Sequence, residues 1–152
     1  MTTPVKSIVS FVASFPQEYT DDGAPPGEEL ANFIASSVRQ SGLASGVPDE
    51  RGGWAWEFVT KDDGAEVFSI VGLVDDMDLK PPRQWLITIS VNSGFFSRLF
   101  GGSGAAAKRE KLLRIVCEAI HKRIQSDDRF SEVRWYSDKT FDQPDDQPGL
   151  MP

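Results

Sequence analysis

Three groups of residues have the types and spacing to do chemistry. The run Gly101-Gly102-Ser103-Gly104-Ala105-Ala106-Ala107-Lys108 contains Gly-x-Gly-x-x-Ala at the opening of a helical segment. Backbone N–H groups at such a helix start can cradle a phosphate, with Gly102 and Gly104 allowing close approach and Lys108 and Arg109 supplying charge. Two features count against it. The preceding strand pattern ends well before the first glycine, and Lys108 is followed by Arg109, not by the Ser or Thr of a P-loop. A flexible connection that lets the helix fold back on a sheet is the simpler account.

The second group is Cys117 and His121, four apart and so on neighbouring turns of one helix, the spacing of a thiolate–imidazole pair. No third residue that would orient the imidazole is identifiable, and Cys117 sits at the edge of an apolar stripe, where a thiol behaves as a small hydrophobe. The third group is acidic: Asp62-Asp63, Asp75-Asp76-Met77-Asp78 and Asp145-Asp146. None has the alternate spacing of a calcium loop, and the first two fall at strand ends, where Asp favours turns. One histidine and one cysteine leave too few ligands for a protein-only zinc site. No Gly-x-Ser-x-Gly elbow is present. The sequence therefore predicts no cofactor and no metal.

Two aromatic groups point instead to binding. Phe95-Phe96-Ser97-Arg98-Leu99-Phe100 places four large apolar side chains in six residues beside glycines. It reads either as a partner-binding lid or as a helical turn whose Phe96, Leu99 and Phe100 plug one end of the core, with Arg98 outward. Trp54 and Trp56 are expected on one strand face, as core payload or as an interface platform.

Elements to position these residues follow from periodicity. Val5 to Phe15 alternates as a first strand and Pro16 ends it. A helix follows from near Gly27, with Glu28 and Glu29 in its first turn, Leu30, Phe33, Ile34 and Val38 as its stripe, and Gly42 closing it. Gly53 to Lys61, Asp62-Asp63-Gly64 and Glu66 to Val74 form a hairpin signal, and Gln84 to Val91 a further strand with Trp85, Ile87, Ile89 and Val91 on one face. Lys108 to Gln125 is the strongest helix, and Ser131 to Tyr136 the last strand. The prediction is an α+β domain over residues 1–137, ordered β-α-β-β-β-α-β, with a mostly antiparallel sheet of about five strands and both helices on one face. Residues 138–152, with three prolines and four aspartates, are expected to be a disordered tail.

Composition narrows the partners. The net charge is −7, distributed as −8 over residues 1–97, +4 over 98–139 and −3 over the last 13. That sign disfavours a nucleic-acid binder, whose affinity comes from neutralising phosphates. The longest uncharged run, Gln84 to Ser97, is 14 residues, too short to cross a bilayer as a helix. Lys6 followed by Ile8, Val9, Phe11 and Val12 faintly imitates a secretory signal, but serines at 7, 10 and 14 dilute it, so a cytoplasmic chain is expected.

Gly53-Trp54-Ala55-Trp56-Glu57, Trp85-Leu86-Ile87-Thr88-Ile89, Phe96-Ser97-Arg98-Leu99-Phe100-Gly101 and Phe130-Ser131-Glu132-Val133-Arg134-Trp135-Tyr136 together resemble a family of small bacterial proteins of unknown function. The resemblance covers residues 5–137, supports the fold and implies no activity. The expectation left standing is a non-enzymatic module that binds another protein or a second copy of itself, an immunity or inhibitor protein being one concrete form. The alternative is a phosphate- or nucleotide-binding protein or enzyme using 101–109.

If 95–100 is a core plug, Leu99→Ala should cost about 2–5 kcal/mol in a denaturant melt. If it is a lid, Phe95→Ala/Phe96→Ala should leave the melt unchanged and weaken association.

Overall fold

The computed structural model describes residues 5–91, 103–137, 141 and 149–152, and at 103–105 the backbone alone. Seven strands and two helices are found among them: β1 (Ile8–Ala13), α1 (Glu28–Gln40), β2 (Ala44–Ser45), β3 (Asp49–Arg51), β4 (Ala55–Asp62), β5 (Ala65–Asp76), β6 (Arg83–Val91), α2 (Ser103–Gln125) and β7 (Phe130–Tyr136). They form one antiparallel sheet in the order β2-β4-β5-β6-β1-β7, with β3 also on the free side of β4. The α+β class and the two helices agree with the sequence. The strand count does not, because β2 and β3 are two- and three-residue pieces without a readable alternation.

The β4–β5 hairpin turns at Asp63 and Gly64, both at positive φ (46° and 83°). That is the geometry that Asp-Gly favours between strands. Alternation then sends one face of each strand into a single buried cluster. Val9 and Phe11, Trp56 and Phe58, Val67 and Val71, and Trp85 and Ile87 pack with Leu30, Ile34 and Val38 of α1 and Leu112, Val116, Ile120 and Ile124 of α2. Both helices thus cover one face. The other carries half-buried Ile8, Val12, Val59, Phe68, Ile70 and Leu86 among Ser, Thr and charged residues.

Four phenylalanines close one end of the core. Phe130 lies 5.1 Å from Phe11, 5.7 Å from Phe15 and 5.9 Å from Phe33, centroid to centroid. The Arg129 guanidinium stacks over Phe15 and Phe33 at 4.9 and 4.7 Å. Asp127, 2.8 Å from Arg129 Nη2, holds it there. The hydrogen bonds from Arg129 lower the Asp127 carboxyl to about 2.

Helix α1 enters through Gly27, whose φ of 112° is a left-handed conformation that favours glycine. The packing there is tight as well, because a Cβ on Gly27 would stand 3.3 Å from Trp85 Cζ3 and 3.5 Å from Trp56 Cδ1. Gly27→Ala is therefore expected to cost about 1–3 kcal/mol in a urea melt through backbone strain. A variant as stable as wild type would show that α1 can reseat without it.

Candidate functional site

The sequence places Trp54 and Trp56 on one face; the structure separates them. Trp56 is on β4, 8% exposed, and its indole N–H donates to Pro25 O at 3.0 Å. Trp54 precedes the strand and is 51% exposed. The reason is Gly52-Gly53, both at positive φ (63° and 76°), which break the alternation just before β4 begins. The Trp54 ring lies across Gly72 of β5, on the face away from the helices, so close that a Cβ at Gly72 would meet Cζ3 at 2.7 Å. Gly72 therefore forms the flat seat of an exposed indole.

Other exposed apolar groups share this end of the sheet. Tyr19, in the β1–α1 loop, is 60% exposed, and its hydroxyl donates to Gly53 O at 3.3 Å, tying that loop to the Trp54 turn. Met77 and Leu79, exposed in the β5–β6 connection, lie at the same end, since β4 starts opposite the last part of β5. The surrounding charge is mostly acidic. A shallow depression of about 410 Å³ next to Tyr19 is lined by Glu18, Glu28 and Glu29 together with Pro16, Thr20 and Pro26. Asp75 and Asp76 end β5, and Asp78 stands in the β5–β6 connection. A larger open groove of about 670 Å³ lies on the β2–β4 side. Its Arg39 is engaged by the carbonyls of Ser45 and Gly46 at 3.1 and 3.2 Å.

The remaining candidates divide plainly. Phe95, Phe96, Arg98, Leu99, Phe100 and Gly102 lie outside the described residues. Gly104 is the second residue of α2, and the Lys108 ammonium is 3.0 Å from Asp63 Oδ2 of the β4–β5 turn, a carboxylate that competes with any anion for it. Arg109, one residue on, is half-buried. Cys117 and His121 form no dyad. Cys117 is fully buried, and burial pushes its thiol up to about 12, so no thiolate is available at neutral pH. The His121 partner is across the core: Trp135 of β7 donates its indole N–H to His121 Nδ1 at 3.1 Å. Sequence reasoning looked for that partner along the helix, where spacing is visible, and missed it between elements.

No known family, curated protein or solved structure matches the chain. No helix among the described residues is long and apolar enough to cross a membrane.

The His121 arrangement has a pH signature. Nδ1 needs its lone pair to accept from Trp135, and burial lowers the His121 pKa below its usual 6.5, so the fold prefers the neutral ring. The unfolded chain then binds more protons, so this contribution is present above pH 6.5 and is lost as pH falls through the folded pKa. Unfolding free energy should decline between pH 7 and 5.5. His121→Gln, which keeps an acceptor that does not titrate, should flatten that slope at a cost of about 1 kcal/mol or less at pH 7. Equal slopes in the two proteins would contradict the account.

Proposed function

We propose that the chain is a non-catalytic protein-interaction module that docks the basic surface of another protein at the Trp54 end of its open sheet face. The observation that carries this reading is the half-exposed Trp54 indole seated on Gly72. A large rigid side chain held in place loses little freedom on binding, and tryptophan is the side chain most enriched among residues that dominate interface energy. Tyr19, Met77 and Leu79 extend the apolar area, and the carboxylates of Glu18, Glu28 and Glu29 offer sites for lysine or arginine side chains. With a net charge of −7, association would be steered toward a basic surface. An inhibitor or immunity-type protein that covers a basic enzyme surface is the concrete form we favour. We place the chain in the cytoplasm, a compartment with which the buried, unpaired Cys117 thiol is compatible.

Trp54→Ala should change folding stability by about 1 kcal/mol or less, because the side chain is half in water. It should weaken partner binding by about 2 kcal/mol or more, roughly thirtyfold. Affinity capture from the source cell at low and high salt measures this: wild type should retain a basic protein at low salt, and Trp54→Ala should not. Equal retention by both proteins would count against the site. A large thermal shift with a phosphorylated metabolite, abolished by Lys108→Ala, would favour the anion-binding alternative instead.

A further inference from the structure

Each buried tryptophan gives its indole N–H to an acceptor: Trp56 to Pro25 O, Trp85 to Ala13 O and Trp135 to His121 Nδ1. Trp54 differs. Half exposed and seated on Gly72, it meets no acceptor for its Nε1 among the described residues. The indole is a fixed apolar plate with one hydrogen-bond donor left over. Tyr19 stands beside it, since its hydroxyl donates at 3.3 Å to Gly53 O, the carbonyl that leads into Trp54. The loop that carries Tyr19 is closed by its own bonds: Thr20 N–H donates to Ala24 O, and Ala24 N–H to Thr20 Oγ1, both at 3.0 Å. Two exposed aromatic rings are thus held at one peptide unit in the free protein.

Next to Tyr19, the depression of about 410 Å³ is lined by Glu18, Glu28 and Glu29 together with three prolines. Glu29 also attracts Arg129. Glu18 and Glu28 have no ion-pair partner among the described residues. Glu28 and Glu29 lie in the first turn of α1, whose end carries only about half a positive charge, so the depression stays net negative.

A partner segment can dock as an added strand, a helix or a polyproline II stretch. An added strand needs a free edge. One side of the sheet ends in β2 and β3, two and three residues long. On the other, β7 is bulged at Glu132, whose φ is 53°, and Trp135 is already bonded in both directions to Gly149 at 2.7 Å. Phe141 meets Tyr136 edge-on beside it. Most of the expected disordered tail, 138–152, lies outside the described residues, and the parts described are held to β7. A helix offers the indole N–H few acceptors, because its carbonyls are bonded internally. A polyproline II segment has no internal hydrogen bonds, so its carbonyls are free to accept. Its proline rings pack on aromatic faces, and being extended beforehand it loses little freedom on binding.

We infer that the occupant of the Trp54 site is a proline-rich segment in polyproline II form with a flanking arginine. One carbonyl of the segment accepts from Trp54 Nε1, its proline rings pack on Trp54 and Tyr19, and the arginine enters the depression at Glu18 and Glu28. This rests on the docking reading above and names what docks. Arginine suits the depression better than lysine, because the donors of one guanidinium can be divided between two carboxylates.

Two synthetic probes test this on the full chain. One is an oligoproline of about nine residues with an arginine at each end, so that either chain direction presents one. The other has glycine at every proline position. The first should bind, shift the Trp54 indole N–H resonance and slow its exchange, and the second should bind about tenfold more weakly or worse, because it must be ordered on binding. Trp54→Phe keeps a ring but removes the donor, and should weaken binding of the oligoproline about three- to tenfold. Trp54→Ala should weaken it about thirtyfold or more. Glu18→Gln with Glu28→Gln should remove most of its salt dependence. All these side chains are exposed, so urea melts close to wild type are expected. Equal binding of the two probes, or of the oligoproline to wild type and Trp54→Phe, overturns the inference. If the oligoproline does not bind while wild type still retains a basic protein that Trp54→Ala loses, the proline-rich occupant is wrong and the docking reading stands. If neither result is obtained, both fail.

Discussion

The fold depends on two indole N–H groups that fix both ends of one loop. Trp85 donates to Ala13 O, where β1 stops, at 3.4 Å, and Trp56 donates to Pro25 O, just before α1 starts, at 3.0 Å. Between these points the chain must leave the sheet, cross its end and return as a helix over the buried face. Both rings lie against Gly27, the residue at which α1 begins. A buried indole needs a partner for its one donor, and these carbonyls supply it while locating the helix. Loss of either bond would strand a donor in the core and loosen the seat of α1 together.

That constraint divides the tryptophans by role. Trp56, Trp85 and Trp135 are each buried with the indole N–H bonded, to Pro25, Ala13 and His121 respectively. They join β4, β6 and β7 to the β1–α1 connection and to α2. Trp54 stands outside this set on the opposite face, half in solvent, where it contributes surface and little core. The acidic groups around it come from the same geometry, because that end of the sheet carries Glu18 and Asp78 in its connections and Asp75 and Asp76 at the end of β5.

Much of this is legible in the sequence because it is periodic. The alternation of Trp85, Ile87 and Ile89 gives the buried face of β6, Asp63-Gly64 gives the hairpin, and Leu112, Val116, Ile120 and Ile124 give the inward stripe of α2. What periodicity does not reach is missed. Trp54 looks like the next inward residue before Trp56 until the left-handed Gly52-Gly53 pair reorients the chain. The strands β2 and β3 are too short and too exposed to alternate. Phe141 and Gly149 are isolated among Asp, Gln and Pro, so composition hides their docking on β7, and His121 meets Trp135 only through tertiary packing. In the candidate site, Trp54 was visible as a residue type. Its exposure and its seat on Gly72 were not.

The division of the tryptophans is the central claim, and hydrogen exchange of the four indole N–H groups, followed by NMR on the free protein, tests it most directly. The account predicts three slowly exchanging indoles, Trp56, Trp85 and Trp135, and one fast one, Trp54, which slows only when a partner protein is bound. A Trp54 indole protected in the free protein, or a Trp56 indole that exchanges as fast as Trp54, would contradict it.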